Sequence, residues 1–352
     1  MLNIQSKSHP YRVIESPSPR AAIETLENRD TAFYLVDRKV AQLYEGEFAG
    51  LIPPERCYQI EASEHAKSYE QLAPIFCWLL ESKCRRTSNL VVIGGGVLQD
   101  IGCFIASVLM RGVRWTLIPT TLLAQCDSCI GSKSSLNINR FKNQLGTFYA
   151  PHEVRLAFDF LKTLTTEELR SGLGEAIKLH LIEGQEAADR LRATMANTAP
   201  QDLPLPTIIW DSLRIKKRFI EEDEFDLGVR NLLNYGHTFA HAFESATQYA
   251  IPHGIAVIMG IACATYFSEQ LKLAPPGSFD DIRAWTRPFY ADYLAPLMQV
   301  DVATILSGMK QDKKNQGDQV MFVLTRGPGM MSKLGLEAQA VPALLTSCLE
   351  AL

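Results

Sequence analysis

Three of the chain's seven histidines fall within seventeen positions of the stretch NLLNYGHTFAHAFESATQYAIPHG: His237, His241 and His253. Residues four apart on a helix share a face, so His237 and His241 point the same way, and His253 follows a proline that closes a loop. Imidazoles converging in this way suit a divalent metal, zinc above all. A zinc peptidase needs Glu directly after the first His. Thr238 stands there, which disfavours that chemistry. The same spacing also describes two half-buried helical histidines and an unrelated loop histidine, and spacing alone does not separate the two readings. A carboxylate would complete a metal site. Glu175, in GLGEAIK, lies one turn before Lys178 on a helix whose apolar residues imply burial. Burying both is costly unless they pair with each other or meet a metal or an anionic substrate.

A second concentration is glycine. IGGGVLQDIG, residues 93–102, follows an apolar strand-like run and opens a helical pattern. Backbone N–H groups there can approach a pyrophosphate closely, and the helix N-terminus favours its charge. The stretch is not G-x-G-x-x-G, so it does not define a standard dinucleotide fingerprint. Asp37, at the end of an earlier strand, is either an acceptor for ribose hydroxyls or a turn residue. A third concentration is cationic: Arg111, Lys133, Lys142, Lys216, Arg230, Lys313 and Lys314 stand beside glycine, asparagine or apolar neighbours. Singly each reads as a solvated surface group, whereas together they suit an anion such as phosphate or carboxylate.

These residues need elements to hold them. Residues 31–37, 89–94 and 114–119 read as strands rich in branched and aromatic side chains, with a helix over 98–110 among the connections, which predicts parallel strands with crossover helices. Pro74 makes the helix of 67–83 either kinked or late to start. From about residue 165 the period becomes helical: 165–183 with a threonine cap, then 205–221, 231–248, 254–271 and 302–310, with a late strand at 319–325. The fold class is an α/β N-terminal domain over 1–161 and a mostly helical domain over 162–352, a sensible division for 352 residues. A net charge of −4 makes nucleic acid or an anionic membrane an unlikely partner, and the absence of a signal-like N-terminus or a long apolar run predicts a cytoplasmic protein. Eight scattered cysteines read as reduced thiols. Cys126 and Cys129 form a C-x-x-C with no second copy to complete a zinc site.

Taken in order, GGGVLQD, RGVRWTLIPTTLLAQCDSCIGSK, FKNQLGTFYAP, FLKTLTTEELRSGLGEAIK, VRNLLNYGHTFAHAFE and PHG resemble the successive blocks of the sugar phosphate cyclases, most closely the 3-dehydroquinate synthases, over nearly the whole chain. The resemblance implies a nucleotide-binding α/β domain, a helical metal-binding domain and an active site in the cleft between them. It implies that Glu175, His237 and His253 hold zinc or another divalent metal such as cobalt. Glu64, Lys67, Gly95, Gly96, Asp100, Thr120, Thr121 and Thr163, with Asp37, would contact NAD. Asp127, Lys133, Lys142, Asn143, Lys178, Lys216, Arg230, Asn234 and His241 would line the substrate pocket, His241 facing the substrate's phosphate. Arg111 would reach a neighbouring subunit's site in a homodimer.

The chemistry implied by the resemblance is a carbon–oxygen lyase reaction. NAD takes a hydride from a ring alcohol while the metal stabilises the developing charge; phosphate is eliminated, the hydride returns, the ring opens and an enolate closes the carbocycle. VRNLLN, with Arg230 and Lys133 available for a substrate carboxylate, favours 3-deoxy-arabino-heptulosonate 7-phosphate as substrate and 3-dehydroquinate as product. A cyclase acting on sedoheptulose 7-phosphate or an amino analogue, a metal-dependent polyol dehydrogenase, and a silent paralogue are the alternatives. Four positions depart from the usual pattern: Ile255 in place of an acidic residue, Gln99 in place of a small one, Ser132, and Phe141 in place of glycine. Isoleucine at 255 cannot orient a neighbouring metal-binding histidine, which predicts weakened zinc affinity.

Overall fold

The structure, a computed structural model, describes residues 1–139, 141–310 and 317–352; Lys313 and Lys314 therefore lie outside the described residues. The chain divides into two compact units, Met1–Thr165 with Lys216–Phe225, and Thr166–Ile215 with Asp226–Leu352. The division falls inside the helix Leu205–Glu222.

The first unit is built on a seven-stranded sheet of β1 (Leu2–Ile4), β2 (Tyr11–Glu15), β3 (Ala32–Asp37), β4 (Cys57–Ile60), β5 (Asn89–Gly94), β6 (Arg114–Pro119) and β9 (Glu153–Leu156), the numbers 7 and 8 belonging to a small hairpin of β7 (Leu136–Ile138) and β8 (Phe141–Leu145). Spatial order is β1-β2-β9-β6-β5-β3-β4, and every pairing is parallel except that of β1 with β2. β5 is buried along its whole length, as a parallel strand covered on both faces must be. From β3 the chain first adds β4 on one side and then β5 on the other. The carboxyl ends of β3 and β5 thus form the point where strand order reverses, the place at which open α/β sheets bind ligands. The helix Gly96–Val108 follows β5, and Gly102 lets it lie against the strand: a Cβ there would stand 2.3 Å from Val92 Cγ2. The helix expected somewhere in 67–83 runs Ala73–Glu81 with Pro74 in its first turn, where the missing N–H costs nothing.

The second unit is helical apart from a hairpin of β10 (Gln319–Thr325) and β11 (Met331–Glu337). At its centre runs the helix His253–Gln270, apolar on all sides and buried from Gly254 through Thr265. Helices Thr166–Glu183, His237–Ala246 and Ser278–Tyr290 pack around it. Phe239, Phe267 and Phe322, with ring centroids 5.0 to 5.5 Å apart, join two of those helices to β10. The single helix expected over 231–248 is in fact a short 3-10 turn, Val229–Asn234, followed by the α-helix His237–Ala246. Gly236 causes the break. It holds φ +81°, and a Cβ on it would meet Val257 O at 2.8 Å.

Candidate active site

In the second unit, glycines at two helix crossings bring the metal candidates together. A Cβ on Gly254 would stand 1.7 Å from Ser171 O, and one on Gly174 would stand 2.2 Å from Gly254 O. Helices Thr166–Glu183 and His253–Gln270 therefore touch backbone to backbone, with Gly254 N donating to Ser171 Oγ at 3.1 Å. The sequence neighbours of the two glycines, Glu175 and His253, are thereby set side by side. Gly260 meets Gly236 in the same manner, with 2.1 Å between a hypothetical Cβ and Gly236 O, and this seats His237 at the first turn of its own helix. Glu175 Oε1 ends 3.2 Å from His253 Nε2 and 3.6 Å from His237 Nε2. Two ligands about 2.0–2.1 Å from a tetrahedral zinc lie about 3.3 Å apart. One donor atom from each of the three residues falls within 4.8 Å of the others, so the set fits a divalent ion.

The surroundings support that fit. Glu175 is 1% exposed, and its second oxygen pairs with the equally buried Lys178. His237 Nδ1 stands 3.3 Å from Tyr235 O. His253 is not a loop residue but the first residue of its helix, and its Nδ1 lies 3.2 Å from Glu244 Oε2. Burial opposes charge on His253, but Glu244 and Glu175 on either side outweigh it and push its pKa up to about 10. Carboxylates on both sides of one imidazole make a setting that suits a cation. His241 is near, its ring 5.5 Å from that of His237 and stacked at 6.1 Å on that of His253. It forms a second group with Glu244 and His253.

One sequence-based expectation is corrected here. Ile255 is fully buried core and the first turn of its helix has no acidic residue, yet His253 Nδ1 still faces a carboxylate, that of Glu244 from another helix. The basis for expecting weakened zinc affinity is thereby removed. Glu244 was missed; its only signal was HAFE, which puts it three residues after His241 on the same face. In the same unit Arg230 is buried, and Asn234 donates to Asn231 O at 3.0 Å.

In the first unit, three parallel strand ends gather the nucleotide candidates. Register places Val36 beside Ile93 and Gly94 beside Pro119, so Asp37 ends β3 while Gly95 and Thr120 follow β5 and β6. A Cβ on Gly95 would strike Thr121 Cγ2 at 2.8 Å, whereas at Gly96 it would meet only Ser128 Oγ at 3.9 Å. The backbone thus comes to an open helix N-terminus, a feature that fits a pyrophosphate. Asp37 also caps the helix Arg38–Leu43, accepting from Lys39 N at 2.9 Å. Lys67, 7% exposed, lies 2.8 Å from Asp100 and 3.3 Å from Asn143 Oδ1, while Glu64 stands 3.7 Å from Lys142. Burial raises the Asp100 carboxyl above its usual range, opposed by Lys67 and by the Ser135 N–H. Thr163 Oγ1 lies 3.0 Å from the Tyr44 hydroxyl.

Buried Lys216 donates to Asp127 O at 2.7 Å and pairs with its carboxylate. Gln99, unexpected before Asp100, is locked to Ser128: Ser128 Oγ donates to Gln99 Oε1 at 2.7 Å and Gln99 Nε2 donates back to Ser128 O. Ser132, at φ 58°, donates to Glu224 at 2.8 Å. Phe141 is half exposed on β8. Lys133 stands 5.8 Å from the ring centre of Phe148, and Arg111 is exposed at the end of the 3-10 helix Leu109–Arg111 with φ 63°. Cys126 and Cys129 are buried free thiols, and burial pushes Cys129 up to about 12.

A reversing parallel sheet in one unit and a two-His, one-Glu cluster among the helices of the other define a class of chain built for a nucleotide and a divalent metal. Residues 57–171 match the family model of the 3-dehydroquinate synthase N-terminal domain and residues 172–315 that of its C-terminal domain, and the chain belongs to the 3-dehydroquinate synthase family. It is 35% identical over 299 residues to a 3-dehydroquinate synthase of Legionella pneumophila (strain Lens), covering 84% of this chain and 81% of the relative. Among solved structures it is similar to 2-deoxy-scyllo-inosose synthase complexed with carbaglucose-6-phosphate, NAD+ and Co2+, with a TM-score of 0.87, 20% identity and coverage of 98% and 99%. It is also similar to ValA, the 2-epi-5-epi-valiolone synthase of Streptomyces hygroscopicus with NAD+ and Zn2+ bound, with a TM-score of 0.84, 23% identity and coverage of 99% of both chains. Those neighbours carry NAD with cobalt or zinc, and the expected fold class holds. No helix among the described residues is long and apolar enough to cross a membrane.

Proposed function

We propose that the chain converts 3-deoxy-arabino-heptulosonate 7-phosphate to 3-dehydroquinate with loss of phosphate, using NAD and a divalent metal, zinc first. The observation that carries this reading is the Glu175–His237–His253 cluster at the helix crossings of a chain of this family. When bound, the nicotinamide supplies a hydride acceptor that is restored within the turnover, and the metal supplies positive charge beside the oxygen being oxidised. Glu175, His237 and His253 hold the metal. Lys178, paired with Glu175, keeps that carboxylate oriented and adds a cation to the site.

Asp37, Gly95, Gly96, Thr120 and Thr121 frame the nucleotide at the strand ends, with Glu64, Lys67, Asp100 and Thr163 as further contacts. Lys142, Asn143, Asn234 and His241 receive the phosphate, whose departure is eased by donors already in place. Arg230 and Lys133 take the substrate carboxylate, with Arg230 offering two parallel donors. The Lys216–Asp127 pair presents a fixed cation and a carboxylate for proton transfer at a ring hydroxyl. Arg111, exposed and held at a left-handed φ, completes the site of a second copy in a homodimer. Composition supports a cytoplasmic setting.

The test is phosphate release by the purified chain with NAD and zinc, offered 3-deoxy-arabino-heptulosonate 7-phosphate or sedoheptulose 7-phosphate. Turnover of the first without net NADH supports the reading. Turnover of the second alone makes the chain a different cyclase, and steady NADH accumulation makes it a dehydrogenase.

A further inference from the structure

Glu244 has no role in the function proposed above, yet it is 4% exposed and its carboxylate points at a ligand of the metal cluster. His253 has two ring nitrogens. Nε2 faces Glu175 at 3.2 Å and Nδ1 faces Glu244 at 3.2 Å, so the imidazole lies between two carboxylates that come from different helices. A histidine that gives its Nε2 lone pair to a metal carries its proton on Nδ1, and that proton needs an acceptor. At His237 the group at this place is the neutral carbonyl of Tyr235, 3.3 Å away; at His253 it is an acidic side chain.

We infer that Glu244 is the positioning residue of the metal centre: it accepts the Nδ1 proton of His253, fixes the tautomer and ring plane, and makes that imidazole the stronger nitrogen donor. This rests on the reading that Glu175, His237 and His253 hold a divalent ion. The competing role, Glu244 as a ligand in the group His241–Glu244–His253, would need His253 to serve two metals through both nitrogens. The 3.2 Å approach of each nitrogen to its own carboxylate instead assigns Nε2 to the first cluster and Nδ1 to a hydrogen bond.

The experiment uses the full chain stripped of metal and titrated with zinc against a chromophoric chelator. Metal content per chain, the visible spectrum of the cobalt form and thermal unfolding of the metal-free protein are read alongside. The variants are Glu244→Ala, Glu244→Gln and His237→Ala. Wild type is expected to take one zinc per chain. Glu244→Ala should weaken zinc affinity about 10–100-fold. Glu244→Gln, which keeps an acceptor without the charge, should lose less, and both should shift the cobalt bands while the metal-free protein still unfolds in one cooperative transition, at a lower temperature than wild type because His253 has lost a buried partner. Wild-type zinc affinity and unchanged cobalt bands in either variant overturn the inference. So does a wild type that binds two zincs and an alanine variant that binds one, because Glu244 would then be a ligand. A wild type that takes no zinc, or a His237→Ala variant that binds it as wild type does, overturns the metal reading itself and this inference with it.

Discussion

Gly254→Ala should dismantle the metal site without touching a ligand. The added Cβ would stand 1.7 Å from Ser171 O, where a carbon–oxygen contact needs about 3.4 Å. Helices Thr166–Glu183 and His253–Gln270 must then separate by roughly the difference, about 1.7 Å. The obstructing atom is backbone, so no rotamer change relieves the clash. Carried to the site, that shift takes Glu175 Oε1 and His253 Nε2 from 3.2 Å to about 5 Å, well beyond the roughly 3.3 Å span of two zinc ligands. Packing strain of this kind costs about 3 kcal/mol, and a misplacement of this size lowers kcat/KM on the order of 100-fold. The melting temperature should fall by roughly 6–12 °C for a unit of this size. Gly46→Ala is the control, because nothing lies within 4 Å of its Cβ position. Zinc titration and thermal unfolding of both variants decide the matter. A Gly254→Ala protein with wild-type zinc affinity and a melting point within about 2 °C of the parent would refute the crossing as the cause of ligand convergence.

Lys216→Met strands the Asp127 carboxylate in a buried setting and should cost about 3 kcal/mol in urea unfolding, part of it recovered by adding Asp127→Asn. Gln99→Ala removes both hydrogen bonds to Ser128 and should cost about 2 kcal/mol; Gln99→Glu should cost more, since its carboxylate would face the Ser128 carbonyl. His152 carries a pH signature. Burial, then the charges of His9 and Arg114, depress its pKa to about 4, so the unfolded chain binds the proton more readily than the folded one. Its contribution is complete above the unfolded value of 6.5 and is lost as pH falls toward 4. With solvent screening at this partly open ring the effect is about 1 kcal/mol. His152→Asn should flatten the stability profile in that window by as much; an unchanged slope would show that other groups set it.

Much of this was legible in the sequence because strong local signals and long-range roles coincided. Branched apolar runs gave the strands at 89–94 and 114–119 to the residue, since strands covered on both faces have no need of polar alternation. The helix His253–Gln270 was visible as an apolar segment bounded by Pro252. Its central place was not, because uniform apolarity gives no direction of burial. Helical periodicity ran straight through Gly236, whose left-handed φ goes with close packing against Val257 and Gly260 of another helix, so the break could not be read from its sequence neighbours. Glu244 was hidden for a related reason: its partner is nine residues away across a loop, at no helical or strand spacing.

Among the described residues three lysines are buried, Lys67, Lys178 and Lys216, and each sits against a carboxylate, Asp100, Glu175 and Asp127 respectively. Apolar residues of similar volume are commonly as stable as a buried ion pair or more so, so stability alone does not account for three of them. The pairs do differ in what surrounds them. Lys67 also touches Asn143, and Asp100 accepts from Ser135 N, so that pair already sits in a network that can exchange one partner for another. Lys178 shares Glu175 with two imidazoles. An incoming anion or dication in such a place replaces an interaction already made and need not desolvate a new charge. That is the condition under which charged groups bind strongly with little reorganisation. The burial cost is borne during folding, and the paired charges are in position before any ligand arrives.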